Sequence, residues 1–264
     1  MNDNLEITRD EAGIARISLS RPAVHNAFND ALIDDLHKAF SALSADESVR
    51  VIVLAAKGKS FCAGADLEWM KKAAGYSEQE NHRDAQKLSQ MLHIINSAPK
   101  PVIALVQGAA LGGGVGLVAC CDIVIAVRDA LFGLSEVRLG LTPATISPYV
   151  IAKIGETSAR RYFLSGERFD AETASKIGLV HETVGSAGDL ITAETLITQK
   201  LLAGAPQAQA EAKALISAVK NRPIDAALRD ETAARIAARR ISPEAREGFA
   251  AFFEKRPPYW APQK

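Results

Sequence analysis

Apolar and polar positions in the first half of this chain switch repeatedly between a period of two and a period near 3.6, the mark of alternating strands and helices. In 13–20, Ile14, Arg16 and Ser18 alternate with Ala15, Ile17 and Leu19, which predicts a strand with one apolar face. Leu32, Leu36, Ala39, Phe40 and Leu43 recur at helical spacing behind Asn29, a residue suited to an N-cap, so a helix is predicted over 31–43. Val51 to Ala55 is a continuous apolar run of strand length. The charged stretch from Lys71 to Asp84 reads as a lead into a helix that carries Leu88, Met91, Leu92 and Ile95 at i, i+3, i+4 and i+7. Ala98-Pro99-Lys100-Pro101 ends that helix. A strand over 102–106, a glycine turn, a short apolar helix and a strand over 122–127 follow.

After about Ser147 the texture changes to Ala, Lys, Arg and Glu at helical spacing. Helices are predicted over 187–203, 224–239 and 243–253, and Ala212, Leu215, Ile216 and Val219 form a further stripe. The pattern is an α/β core followed by a helical tail whose stripes pack on the core or on a neighbouring subunit. Val102 to Cys121 spans twenty residues without a charge, the length of a membrane helix. It holds five glycines and Gln107, however, and begins as a strand, so a buried strand, turn and helix explain it better.

Composition narrows the classes. The chain has 264 residues, 48% of them hydrophobic, enough for a sizeable core. Its 31 basic and 31 acidic residues cancel, and nucleic-acid binding would need a positive field. Cys62, Cys120 and Cys121 form no C-x-x-C pair, and the five histidines show no ligand spacing. Neither a disulfide framework nor a metal site is signalled, and a reducing, cytoplasmic setting is expected. The N-terminal MNDNLEITRDEAG carries acids and no apolar run, unlike a secretory signal.

Candidate chemistry concentrates in two loops and one acid. Gly112-Gly113-Gly114 stands where a strand passes into a helix, although each glycine costs about 1 kcal/mol relative to alanine inside a helix. Close backbone approach and a ligand held on bare amides at a helix N-terminus explain it equally well. Leu117 occupies the last position of G-x-G-x-x-G, so a dinucleotide fingerprint is absent. Upstream lies a second small-residue loop, Ser60-Phe61-Cys62-Ala63-Gly64-Ala65-Asp66. Glu136 follows the apolar Leu131-Phe132-Gly133-Leu134, a setting that raises a carboxyl pKa toward acid–base work. Two loops of bare amides and one carboxyl group suit chemistry on a carbonyl compound: an oxyanion held, a proton moved.

In combination, Phe61-Cys62-Ala63-Gly64-Ala65-Asp66-Leu67, Gln107 to Gly114, Cys121-Asp122, and Phe132-Gly133-x-x-Glu136 with Gly140 and Pro143 resemble the crotonase superfamily of enoyl-CoA hydratases and isomerases. Arg21-Pro22 with Asn26-Ala27-Phe28 looks like its N-terminal signature, and Glu247-Gly248-Phe249 with Phe252, Glu254, Lys255 and Arg256 like its C-terminal one. The resemblance implies an α/β spiral of β-β-α repeats with a helical C-terminal region. It divides the chain into an acyl-CoA-binding core over 1–200 and a helical oligomerisation region over 201–264. It further implies an acyl-coenzyme A thioester as substrate, no other cofactor, no nucleic-acid or membrane partner, and a homotrimer or homohexamer. By the same carry-over the amides of Ala63 and Gly113 form the oxyanion hole, Glu136 is the acid–base, Gly64, Ala65 and Asp66 complete the substrate loop, and Ala27 contacts coenzyme A.

One departure stands out. Hydratases of this family use a second glutamate two residues after the glycine triplet, and Gly116 occupies that position here, where the resemblance implies that it lines the substrate site. A single acid suits an isomerase as well as a hydratase, and a catalytically silent acyl-CoA-binding or RNA-associated protein is the remaining alternative. A finer likeness in 61–70, Cys120-Cys121-Asp122 and 135–148 is to bacterial methylglutaconyl-CoA hydratases. It implies a branched substrate with a second carboxylate. Arg138, two residues from Glu136, reads equally as a residue that pairs with that carboxylate or orients the loop and as an ordinary surface arginine.

Overall fold

The structure, a computed structural model, describes residues 4–262. In chain order the elements are β1 (Leu5–Arg9), β2 (Ile14–Leu19), α1 (Asp30–Ala45), β3 (Val51–Ala56), α2 (Leu67–Ala73), α3 (Glu78–Asn96), β4 (Val102–Val106), β5 (Ala109–Leu111), α4 (Gly113–Cys120), β6 (Ile123–Val127), β7 (Leu131–Gly133), α5 (Ser147–Ser165), β8 (Arg168–Asp170), α6 (Ala171–Lys176), β9 (Glu182–Val184), α7 (Ala187–Leu202), α8 (Pro206–Val219), α9 (Ala226–Arg240) and α10 (Pro243–Phe253). Short 3-10 turns lie at Pro22–Val24 and Glu136–Leu139. The chain divides into two compact units at 196/197.

In the first unit six strands form one sheet in the order β1-β2-β3-β4-β6-β9, and three form a second in the order β5-β7-β8. Only the β1–β2 and β7–β8 pairs are antiparallel. Each sheet is mixed because it joins one antiparallel pair to parallel ones, and successive turns of chain give one strand to each sheet. β4 passes to β5 and α4, and β6 passes to β7 and α5. This is the β-β-α spiral. The continuous apolar runs have a physical cause here: β4 is buried at every residue, as parallel strands covered on both faces are.

The predicted helix behind Asn29 is α1, and Asn29 accepts from the Leu32 N–H at 2.9 Å. All five residues of its predicted apolar face are buried. The stretch from Lys71 to Asp84 differs from expectation. It is mostly helix, because Ser77 and Glu80 make a reciprocal capping box that starts α3 at Glu78. The short strand β5 was not expected either. In the second unit Glu244, 5% exposed, accepts from the N–H groups of Gln207 and Ala208 at 2.8 and 3.0 Å, satisfying the start of α8. Arg239 completes its coordination at 2.8 Å. Glu247 pairs bidentately with Arg256, which gives the C-terminal signature residues a structural task.

Candidate active site

The two small-residue loops meet edge to edge. Cys62 forms an isolated parallel bridge with Ala110, and Phe28 forms another with Ala65. The upstream loop therefore continues the layer of β5, β7 and β8. The triplet glycines are sterically required. A Cβ on Gly113 would lie 2.8 Å from the Phe28 ring, and one on Gly114 would lie 2.5 Å from the Cys62 carbonyl oxygen. Gly112 sits at φ +50°, and a Cβ there would stand 3.1 Å from Glu136 Oε1 and 4.0 Å from Gly64 Cα. Thus Glu136, Gly112 and Gly64 converge.

Which amides are free follows from planar, trans peptides, in which C=O and N–H point opposite ways. The Gly64 carbonyl accepts from the Phe28 N–H at 2.7 Å, so the Ala65 N–H of the same peptide points away from Phe28. The Gly112 carbonyl accepts from Val115 and Gly116 inside α4, so the Gly113 N–H points out of the helix N-terminus. Neither N–H has a partner among the described residues, and Ala65 is exposed. The expectation for Ala63 is corrected. Its N–H donates to the His25 carbonyl at 3.0 Å and is not available to a ligand. The Ala65 N–H, two residues on, has no such partner among the described residues.

Glu136 opens the 3-10 turn at 136–139, reached from β7, whose last residue Gly133 accepts from the Gly112 N–H at 2.8 Å. The carboxyl is half-buried, and its Oε2 is sealed from solvent without a hydrogen-bond partner. Burial pushes its pKa upward, and no neighbouring charge contributes. Cys62, fully buried in the first loop, is pushed up to about 12 by the same effect and is no thiolate nucleophile.

Three further site residues have contacts of their own. Gly116 is buried inside α4, and a Cβ there would lie 2.3 Å from Ile146 Cγ2, so it offers a substrate no surface. Arg138 is exposed and runs against Gly166, close enough to lower the pKa of the Glu167 carboxyl. Asp66 is committed. It caps α2 through the Glu68 N–H at 2.9 Å and pairs with Arg21 at 2.9 Å. Burial alone would raise its pKa, but the Arg21 and Glu68 hydrogen bonds outweigh burial and hold it low. Ala27 is buried beside the site, its carbonyl taken by Arg21. Gly64 is buried and shapes the loop at φ +92°.

Sequence reasoning treated Arg21 and Asn26 as signature letters only. Asn26 is fully buried at φ +56° and donates to the carbonyls of Lys57 and Ser60, both at 2.8 Å, while its Oδ1 accepts from the Arg21 N–H. Together they bind the 21–28 turn to the Ser60–Asp66 loop and so aim the Ala65 amide. An asparagine in the left-handed region beside Arg-Pro was the available signal. His181 is a strand-edge residue. Its ring Nδ1 accepts from the Val124 N–H at 3.1 Å, and burial lowers its pKa.

Comparison with known proteins places this geometry. A family model described as enoyl-CoA hydratase/isomerase matches residues 9–263. A crotonyl-CoA hydratase from Syntrophomonas wolfei is 31% identical over 256 residues, covering 96% of each chain. A crystal structure of an enoyl-CoA hydratase from Shewanella pealeana superposes with a TM-score of 0.94 at 42% identity, covering 97% of this chain and 96% of that one. Pseudomonas aeruginosa AtuE gives a TM-score of 0.94 at 37% identity, over 98% of this chain and all (100%) of its own.

Proposed function

The chain belongs to the enoyl-CoA hydratase/isomerase family, and from that premise we propose that it adds water across the 2,3 double bond of an enoyl-CoA thioester. The observation that carries this reading is Glu136: a half-buried carboxyl with one sealed, unpartnered oxygen, standing over Gly112 and near Gly64, the residues that precede two unpartnered amides. The Ala65 and Gly113 N–H groups hold the thioester oxygen. As water bonds to C3, the π pair moves into an enolate and the oxygen gains charge. Loss of one such donor typically costs about 3–4 kcal/mol of barrier. Glu136 takes the proton that water loses and delivers a proton to C2, so the sum is one water added. Burial suits it to both halves by keeping its pKa above the ordinary carboxylate range.

A single carboxyl also favours a second reading, isomerisation, in which Glu136 moves one proton between C4 and C2 with no water consumed. A panel of crotonyl-CoA, methylglutaconyl-CoA and a 3-enoyl-CoA separates the two. Hydration bleaches the conjugated absorbance of the first two, whereas isomerisation creates it from the third. If none turns over, the proposal fails. The methylglutaconyl-type substrate is supported by the motifs in 61–70, Cys120-Cys121-Asp122 and 135–148 alone, since Arg138 runs against Gly166. We further assign the region 201–264 to homotrimer or homohexamer assembly, supported by its exposed Ile216, Ile236, Phe249 and Phe252. Sedimentation of the intact chain as a monomer would overturn that assignment.

A further inference from the structure

Gly112, the N-cap of α4, and Gly116, inside the helix, are four residues apart. The same returning chain covers both. Glu136 stands over Gly112, and ten residues later Ile146 stands over Gly116. The fit at Gly116 is far closer than ordinary packing, because a Cβ there would meet Ile146 Cγ2 at 2.3 Å and its Cβ at 2.9 Å. Ile146 is 3% exposed and β-branched, hence stiff, and its carbonyl accepts from Tyr149 and Val150 to start α5. Between the two contacts, Leu141 N–H returns to the Glu136 carbonyl at 3.0 Å, bracing 136–141, and Ile146 lies only five residues beyond that turn. Leu92 closes the same hole, 3.7 Å from the absent Cβ.

We propose that Ile146 is a positioning residue for the acid–base group: keyed into the hole left by Gly116, it clamps the segment that carries Glu136 against the helix whose N-terminus presents Gly113. It also fills with hydrocarbon the place from which a side chain at 116 would emerge. Glu136 therefore works alone. The inference rests on the reading of Glu136 as the acid–base.

A double-mutant cycle tests it. Gly116→Ala forces a methyl into Ile146 and is expected to lower kcat about 100-fold with KM within about threefold, the signature of a displaced reacting group. Adding Ile146→Ala makes room and is expected to recover at least about tenfold of that loss. Ile146→Val keeps both methyl branches and is expected to stay within about threefold of wild type. A Gly116→Ala enzyme with wild-type kcat, or a loss that Ile146→Ala does not relieve, overturns the proposal. Should Gly116→Ala not fold, Ile146→Ala alone decides. Its pH–rate profile shifts to lower pH as water reaches the carboxyl, and an unmoved profile overturns the proposal. Should wild type show no turnover, the functional reading fails separately. Titration of Glu136 by carbon NMR of labelled glutamate then decides, since identical midpoints in wild type and Ile146→Ala overturn the clamp.

Discussion

Glu136 in the first unit and Glu244 in the second are both glutamates drawn in from solvent, and they are used in opposite ways. Glu244 receives two backbone N–H groups and the Arg239 guanidinium, so its charge is spent on holding α8 and α9 in place. Glu136 keeps an oxygen sealed and unpartnered. A buried polar atom without a partner costs about 1–3 kcal/mol, a cost that persists only where something else is gained. The lesson is that saturation marks a structural carboxylate and its absence marks one held for exchange. Asp66, in the site loop itself, falls on the structural side.

Exchanging each glutamate for glutamine breaks the comparison most directly. Glu136→Gln is expected to lower kcat about 10²–10⁴-fold with acyl-CoA binding retained, measured by steady-state kinetics and calorimetry. Glu244→Gln is expected to destabilise the chain by about 2–3 kcal/mol in denaturant titration while kcat stays within about twofold. Equal kinetic losses would erase the distinction. Next in size, Arg21→Met frees Asp66 and the Ala27 carbonyl, and is expected to lower kcat about tenfold by loosening the Ala65 amide. The smallest effect is on pH-dependent stability. The pKa of Glu136 is raised in the folded state above its ordinary 4.5, so folding favours the protonated form. The stability this contributes is complete below about pH 4.5 and is lost as pH rises through the folded value. Glu136→Gln should therefore melt about 2 °C or more above wild type near pH 8, and the gap should close on acidification.

Much of the fold was legible because buried parallel strands and amphipathic helices print their periods directly, as Val102–Val106 and the Leu32–Leu43 face show. Gly112–Gly114 and Glu136 were legible because their cost or setting needed a reason. Less legible was anything decided by backbone direction. Ala63 and Ala65 are the same letter two places apart in one loop, and only the partners of the intervening carbonyls tell which N–H is free. Gly116 read as a missing acid, whereas the structure gives it a steric duty set by Ile146, thirty positions away. Arg138 lay two residues from Glu136, but a 3-10 turn sends those side chains apart.

The free N–H groups of Ala65 and Gly113 are the far ends of rigid units already fastened by their carbonyls. No side chain supplies them, so at Ala65 there is no side chain to lose, whereas Gly113 is held to glycine by the Phe28 ring. Side chains other than proline at Ala65 leave its N–H in place, while a change at Phe28, Asn26 or Arg21 would misalign the proposed grip. Inherited drift in such a protein should be read at the anchors, not at the residues that do the holding.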